Sequence, residues 1–155
     1  MDQYSTVESV LMRAVVLEEE AAAMYTMAAA AMKNAEMRKR LLEMAEQERG
    51  HKQKLQDILA GNVRWAIRKS KAEPVQDLHL SDHLEPGELS PDADYQDVLL
   101  MAARREKGAY EFYRTMAGLV DEPLVKSVFE MLANEELRHK YEVEKTYEEV
   151  VYKAF

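Results

Sequence analysis

The sequence predicts an all-α protein, a four-helix bundle in which two antiparallel helical hairpins are joined by a long crossover. Ala, Met, Leu, Glu, Lys and Arg dominate the 155 residues, and only five Gly and four Pro are present, a composition that favours helices. Apolar residues recur at spacings of three and four along four long segments. The length suits a single domain, and we expect one domain over residues 1–155.

The first hairpin is predicted from its capping residues. Ser5 and Glu8 have the spacing of a capping box, which starts the first helix. Asn34 is a suitable N-cap for the second helix, and Gly61 is a typical residue just beyond a helix end. The connection between the two helices is short, so we expect them to pack antiparallel.

The second hairpin follows a crossover without sustained helical periodicity. The crossover contains His79 and His83, which we interpret as residues of a solvated loop rather than as a second metal site. Ser90 followed by Pro91 predicts the start of the third helix, and Asp121 is a suitable N-cap for the fourth. The predicted helices span residues 5–33, 34–60, 91–120 and 122–153, and the predicted crossover spans 61–90.

Composition excludes several classes of function. The net charge of −8 leaves no excess of Lys and Arg to neutralise phosphates, so neither nucleic acid nor an anionic membrane surface is an expected partner. The absence of cysteine excludes disulfides, thiolate metal sites, iron–sulfur clusters and cysteine nucleophiles. We see neither a signal-peptide pattern nor an apolar run of about 20 residues, and therefore expect a cytoplasmic protein.

A glutamate interrupts the apolar stripe of every predicted helix, and a histidine follows three residues later on the second and fourth. These six residues are Glu18, Glu48, His51, Glu106, Glu136 and His139. A lone Glu-x-x-His motif more often belongs to a solvated helix face than to a metal site. Two copies, each with an inward glutamate upstream, favour a metal site.

The two halves of the chain match at a fixed offset. Residues 10–59 and 98–147, which lie 88 positions apart, share eleven identities without a gap. The matched pairs include Glu18 with Glu106, Tyr25 with Tyr113, Glu48 with Glu136, and His51 with His139. We infer that the hairpins are copies of one unit related by a pseudo-two-fold axis.

The spacing of these residues predicts that they meet at one level of the bundle. Glu18 lies 16 residues before Asn34 and Glu48 lies 14 residues after it. The two glutamates are thus about 24 Å and about 21 Å from the turn, given the rise per residue of an α-helix. The glutamates of the second hairpin are equally spaced about Asp121.

A layer of four glutamates and two histidines is costly unless its charge is neutralised, because burial disfavours ionised carboxylates. No Lys or Arg occupies the stripe positions, whereas two divalent cations balance four carboxylates. Carboxylate and imidazole ligands suit iron, manganese or zinc. The same ligand set characterises the di-iron carboxylate bundles, so the sequence predicts a dinuclear metal centre.

These motifs resemble the rubrerythrin family of the ferritin-like di-iron carboxylate superfamily. The family pattern is a glutamate with a tyrosine seven residues later, and Glu-x-x-His about thirty residues after that glutamate. The resemblance covers all four helices and implies a ferritin-like bundle with two iron ions. It implies bridging by Glu48 and Glu136, terminal binding by Glu18 with His51 and by Glu106 with His139, and hydrogen bonds to ligand carboxylates from Tyr25 and Tyr113.

The resemblance also implies an activity, the reduction of peroxide or dioxygen, and a homodimer. Without the four cysteines of a rubredoxin-like domain, the electrons must come from another protein. Rubrerythrins have a further glutamate three residues after the ligand of the third helix, and Ala109 occupies that position here, with Ala21 as its counterpart. The alternatives are a ferroxidase or metal-handling protein, and a helical interaction module with a redox-inert or vestigial site.

Overall fold

The computed structural model describes residues 7–61 and 94–153 of the chain, and within them it contains four α-helices. These helices are α1 (Val7–Ala31), α2 (Ala35–Leu59), α3 (Tyr95–Leu119) and α4 (Pro123–Lys153). Helix α1 packs along α2 to form hairpin one, and α3 packs along α4 to form hairpin two. The predicted all-α class and the predicted pairing of the helices into two hairpins are confirmed. The prediction of one domain over the whole chain stays a prediction.

The turn of hairpin one is closed by side chains at both helix ends. The Asn34 side chain accepts hydrogen bonds from the backbone N–H groups of Glu36 (2.9 Å) and Met37 (3.1 Å), as its predicted N-cap role requires. The Arg38 guanidinium donates two hydrogen bonds to the carbonyl oxygen of Met32, just beyond the end of α1. These bonds satisfy backbone groups that the helices themselves leave open.

The end of α2 agrees with the sequence prediction. Gly61 has a positive φ of 89°, and its N–H donates to the Ile58 carbonyl at 2.9 Å. A residue in this left-handed conformation commonly terminates a helix, and glycine adopts it without steric strain. Ser5, His79 and His83, on which other predictions depend, lie outside the described residues.

Helix α3 begins later than the sequence predicts. Its N-cap is Asp94, whose side chain accepts the N–H of Asp97 at 2.8 Å, while the Asp97 side chain accepts the N–H of Asp94 at 3.3 Å. This reciprocal pair is a capping box. The backbone of Asp94 is extended, so the helix itself begins at the next residue. Ser90, the predicted cap, lies outside the described residues.

Helix α4 is capped by Glu122 and not by Asp121 as predicted. The Glu122 carboxylate accepts the N–H of Val125 at 2.8 Å, and its carbonyl accepts the N–H of Lys126 at 2.9 Å. Pro123 occupies the first helical position, where its missing N–H costs nothing. The residue directly before that proline is therefore the cap.

Each hairpin buries most of the residues of the predicted stripes, including their glutamates and histidines. The apolar buried residues of hairpin one include Leu11, Ala14, Ala21, Tyr25, Leu41, Met44 and Leu55. Those of hairpin two include Leu99, Ala102, Tyr113, Val128, Phe129, Leu132 and Val143. Tyr113 lies edge-on to Phe112 at 5.4 Å between ring centroids and stacks on Phe129 at 6.3 Å. The observed packing thus follows the three-and-four spacing of the sequence.

Two glycines lie inside continuous helices at positions where no atom crowds the backbone. Gly50 on α2 and Gly108 on α3 are exposed, and a Cβ added at either position would meet no atom within 4 Å. A close approach between helices therefore does not explain them.

In the described part of the chain, no helix combines the length and the apolar character that crossing a membrane requires.

Candidate metal centre

Hairpin one brings three of the predicted site residues together. Glu18 projects from α1, while Glu48 and His51 project from α2, and all three side chains are buried. Glu48 and His51 are separated by three residues, which places them on one face of α2, one turn apart. The sequence predicts that Glu18 and Glu48 lie at similar distances from the turn, and this grouping is consistent with that prediction.

The histidine of hairpin one faces both carboxylates. His51 Nδ1 lies 3.6 Å from Oε2 of Glu18 and 3.8 Å from Oε2 of Glu48. Both distances exceed the range of an N–H···O hydrogen bond. Two ligands that bind one metal ion at about 2.0–2.2 Å are themselves separated by roughly 3–4 Å, so these spacings suit a shared cation.

Hairpin two repeats the arrangement with its own residues. Glu106 on α3 and the pair Glu136 and His139 on α4 are buried, and Glu136 is 0% exposed. His139 Nδ1 lies 3.9 Å from Oε2 of Glu106. Glu136 and His139 offer ligand atoms within 4.8 Å of each other. Each hairpin therefore carries a set of two glutamates and one histidine, which we call a ligand set.

The chemistry of the ligand sets fits divalent transition metals. Carboxylate oxygen and imidazole nitrogen are the ligands that iron, manganese and zinc accept. Two carboxylates in each set provide two negative charges, which one divalent cation neutralises. Burial of these charges without such neutralisation is costly. Each ligand set thus has the composition and the charge of a metal site.

The two predicted tyrosines are enclosed in their hairpins. Tyr25 on α1 and Tyr113 on α3 are both buried, each two helical turns beyond the glutamate of its ligand set. Ala21 and Ala109 lie three residues after Glu18 and Glu106. Ala21 is buried and Ala109 is partly exposed, and neither position offers a carboxylate to the site.

Two surface contacts connect α1 to α2 near the ligand set of hairpin one. Lys52 Nζ lies 3.4 Å from a carboxylate oxygen of Glu19, next to Glu18 in the sequence. The Arg49 guanidinium donates a 3.1 Å hydrogen bond to the Thr26 hydroxyl. Exposed contacts of this kind contribute about 1 kcal/mol or less to stability. They connect the surfaces of the two helices beside the buried residues.

The sequence analysis missed a buried ion pair in hairpin two. Lys140 Nζ lies 3.2 Å from Oε1 of Glu144, and both side chains are 1% exposed. A signal was present, because Glu136, Lys140 and Glu144 follow one another at intervals of four, along one row of α4. The predicted stripe of this helix contains only apolar residues and the predicted ligands, so it does not include Lys140 or Glu144.

Comparison with known proteins supports this site. The family model described as Rubrerythrin matches residues 9–80 and 97–154, which include both ligand sets and both tyrosines. Comparisons with curated proteins and with solved structures give no match. Because the family model covers most of the chain, and each hairpin carries a buried ligand set of carboxylates and a histidine, the chain belongs to the rubrerythrin family of ferritin-like di-iron carboxylate proteins.

Proposed function

We propose that this protein is an oxidoreductase that holds two iron ions and reduces hydrogen peroxide or dioxygen. The observation that carries the proposal is the repeated ligand set, two buried glutamates and one buried histidine in each hairpin. Membership of the rubrerythrin family supports iron as the metal. Manganese and zinc suit the same ligands, and the metal has to be measured.

The ligands have distinct proposed roles. Glu48 and Glu136 would each hold both metal ions, and the remaining glutamate and histidine of each hairpin would complete the coordination of one ion. The terminal ligands are Glu18 with His51 and Glu106 with His139. His51 Nδ1 faces the carboxylates of its own set at 3.6 and 3.8 Å, which supports binding through that nitrogen. The tyrosine hydroxyls of Tyr25 and Tyr113 donate hydrogen bonds to ligand carboxylates and orient them.

The chemistry follows from a reduced metal pair in a buried site. A bound and reduced iron pair would supply the two electrons that the reduction of hydrogen peroxide requires, and with two protons the products would be two water molecules. The protein excludes bulk water through the apolar residues beside each ligand set, among them Leu55 and Leu132. The glutamate carboxylates would hold the ions in place and balance their charge.

The proposal also includes an electron donor, an oligomeric state and a cellular compartment. A separate electron-donor protein returns the two electrons, because a chain without cysteine cannot hold a rubredoxin-type iron site. We propose a homodimer as the assembled form. The lack of cysteine also suits a reducing compartment, and we propose that the protein acts in the cytoplasm.

Metal content per chain tests the proposal first. Elemental mass spectrometry of protein purified without chelator should find about two iron atoms per chain, and a Glu48→Ala, Glu136→Ala variant should lose them. The matched control is Glu46→Ala, Glu130→Ala, which removes two exposed glutamates from the same helices and should keep the iron. A protein without metal, whose double variant unfolds at the same temperature, would exclude the site.

Peroxide turnover tests the reaction itself. The iron-loaded protein, reduced without oxygen, should change its visible absorption on addition of peroxide, and repeated additions with a reductant should consume peroxide catalytically. Unchanged spectra in an iron-loaded sample would exclude the redox proposal. Zinc as the only bound metal would favour the alternative of a helical interaction module with a redox-inert site.

A ferroxidase or metal-handling role is the second candidate, and Ala109 favours it. Classical rubrerythrins carry a glutamate at this position, and the side chain of Ala109 cannot act as a ligand. Analysis of the products separates the two functions. Iron that is released or mineralised without catalytic loss of peroxide would indicate the ferroxidase role.

A further inference from the structure

The outward face of α2 carries a shallow groove that the metal chemistry does not use. The groove has a volume of about 400 Å³ and is lined by Ala35, Arg38, Lys39, Leu42, Glu43 and Glu46. All six side chains are exposed, and Leu42, the one large apolar residue among them, is 45% exposed. An apolar side chain at the centre of a charged surface is typical of a protein interface, which has an apolar core and a polar rim.

The charges of this face are separated along the helix. Arg38 and Lys39 lie before Leu42, towards the N-terminus of α2, whereas Glu43 and Glu46 lie after it. Lys39 and Glu46 are seven residues apart, so they share one side of the helix and lie about 10 Å apart along its axis. The midpoint between these two residues falls directly beside Leu42.

This face is complementary to itself when two copies of α2 pack antiparallel. A two-fold axis beside Leu42 brings Lys39 of each copy level with Glu46 of the other, because a symmetric interface uses the same residues on both sides. The two leucines then meet at the axis, and two ion pairs flank them. A parallel arrangement in the same register instead places lysine against lysine and glutamate against glutamate, so the charges favour the antiparallel one.

Hairpin two lacks the same pattern on its equivalent helix, α4. At the offset of 88, the positions of the lysine, the leucine and the glutamate are occupied by Ser127, Glu130 and Asn134. Two copies of that row would place glutamate against glutamate at the axis and would form no flanking ion pairs. The self-complementary pattern is therefore a property of hairpin one, and the internal repeat does not require it.

We propose that the outward face of α2 binds a second copy of this chain, packed antiparallel through Leu42 and through ion pairs between Lys39 and Glu46. The inference rests on the homodimer of the proposed function and assigns its contact surface, and it does not depend on which metal is bound. The contact spans residues 35–46, about 17 Å along the helix, which is small for a specific interface. We therefore expect a reversible dimer with a dissociation constant in the micromolar range.

Sedimentation equilibrium of the full chain over a range of concentrations tests the surface. The wild-type protein should dimerise, and Leu42→Glu should weaken the dimer by about tenfold or more, because two carboxylates then meet at the axis. The matched control is Leu124→Glu, which changes a leucine of similar exposure (48%) on α4 and should leave the dissociation constant unchanged. A dimer that both variants weaken equally, or that neither weakens, would overturn the surface and leave the homodimer intact. A wild-type chain that stays monomeric would overturn both.

Charge reversal tests the antiparallel register. Lys39→Glu and Glu46→Lys each place like charges opposite one another, so each variant alone should dimerise more weakly by about tenfold or more. A mixture of the two variants should form a heterodimer, because a negative face then meets a positive one, and the double variant should dimerise like the wild type. Circular dichroism should show the wild-type helix content throughout, because these side chains are exposed. A mixture that associates no more strongly than either variant alone would overturn the proposed pairing.

Discussion

His51 Nδ1 lies 3.6 Å from Oε2 of Glu18, so that the side chains of α1 and α2 meet across hairpin one. The two residues are 33 positions apart in the sequence, and only the hairpin brings them together. Both are buried, and Glu48 completes the group at 3.8 Å from the same nitrogen. A carboxylate from the opposite helix is thus part of the ligand set, in addition to the local Glu-x-x-His motif.

Replacement of Glu18 by glutamine should weaken metal binding at hairpin one. Glu18→Gln keeps the shape of the side chain and removes its charge, so we expect the metal affinity at this position to fall by about tenfold or more. Calorimetric titration of the metal-free variant measures the change. Circular dichroism should show the same helix content as the wild-type protein, because the amide fits the same space.

The neighbouring residue provides the control for this prediction. Glu19→Gln changes an exposed side chain that pairs with Lys52 on the surface, and it should leave metal affinity unchanged. An equal loss of affinity in both variants would mean that the general charge of α1 matters, and not the position of Glu18. Unchanged affinity in Glu18→Gln would remove Glu18 from the ligand set.

The stability of the metal-free protein should rise when Glu136 is neutralised. Glu136 is fully buried, and a buried carboxylate without metal destabilises the folded state, whereas a buried amide costs less. We expect Glu136→Gln to raise the free energy of unfolding of the chelated protein by about 1–3 kcal/mol. Urea denaturation in the presence of chelator measures it.

The same variant should lose the stabilisation that metal provides. A metal that binds only the folded state adds about 2.7 kcal/mol at a concentration one hundred times its dissociation constant. Glu136→Gln should show a smaller increase than the wild-type protein, and Glu130→Gln, an exposed change on α4, should show the wild-type increase. A chelated Glu136→Gln protein less stable than the wild type would contradict the argument.

The internal repeat predicts more features of the structure than the apolar stripes alone do. Both ligand sets, both tyrosines and the helix pairing follow from the stripes and the offset of 88. The prediction that Asp121 caps the fourth helix rests on the general preference for aspartate as N-cap, and it is wrong by one residue. The same offset aligns Asn34 with Glu122, the residue that caps α4 in the structure. Glutamate is an unusual cap, and Pro123 imposes it.

Burial of a charged residue could not be predicted from spacing. Lys52 and Lys140 occupy equivalent positions of the repeat, yet one is 29% exposed and the other 1% exposed. The difference in exposure depends on how neighbouring side chains pack and on whether an acidic side chain lies close enough on the same helix to pair with the lysine. Lys140 has a glutamate four residues later, whereas the equivalent residue of hairpin one is Gln56. The interval of four between Lys140 and Glu144 indicates that the two side chains can pair, but it does not indicate that the pair is buried.

Alanine should stabilise the protein at two helical glycines. Gly50 and Gly108 lie inside α2 and α3, both are exposed, and an added Cβ meets nothing within 4 Å. Alanine restricts the unfolded chain and favours the helix, so each substitution should raise the free energy of unfolding by about 0.5–1 kcal/mol. Thermal or chemical denaturation measures the effect, and the increments should add because the positions are separate.

Gly61 is the matched contrast for these substitutions. It has equally open surroundings, but its φ of 89° is a conformation that alanine adopts only with strain. Gly61→Ala should therefore lower stability by about 1 kcal/mol. A stabilising effect at Gly61, or a loss of stability at Gly50, would show that backbone conformation does not govern these positions.

Removal of the Glu122 carboxylate should destabilise α4, while the same change at Asp121 should not. The Glu122 side chain accepts the N–H of Val125 at 2.8 Å, and Glu122→Ala leaves that N–H to water. We expect a loss of about 0.5–2 kcal/mol in the free energy of unfolding. Asp121→Ala removes an equal charge one residue earlier and should change stability by less than about 0.5 kcal/mol. Equal losses in urea denaturation would mean that the negative charge near the helix N-terminus matters, rather than the hydrogen bond to Val125.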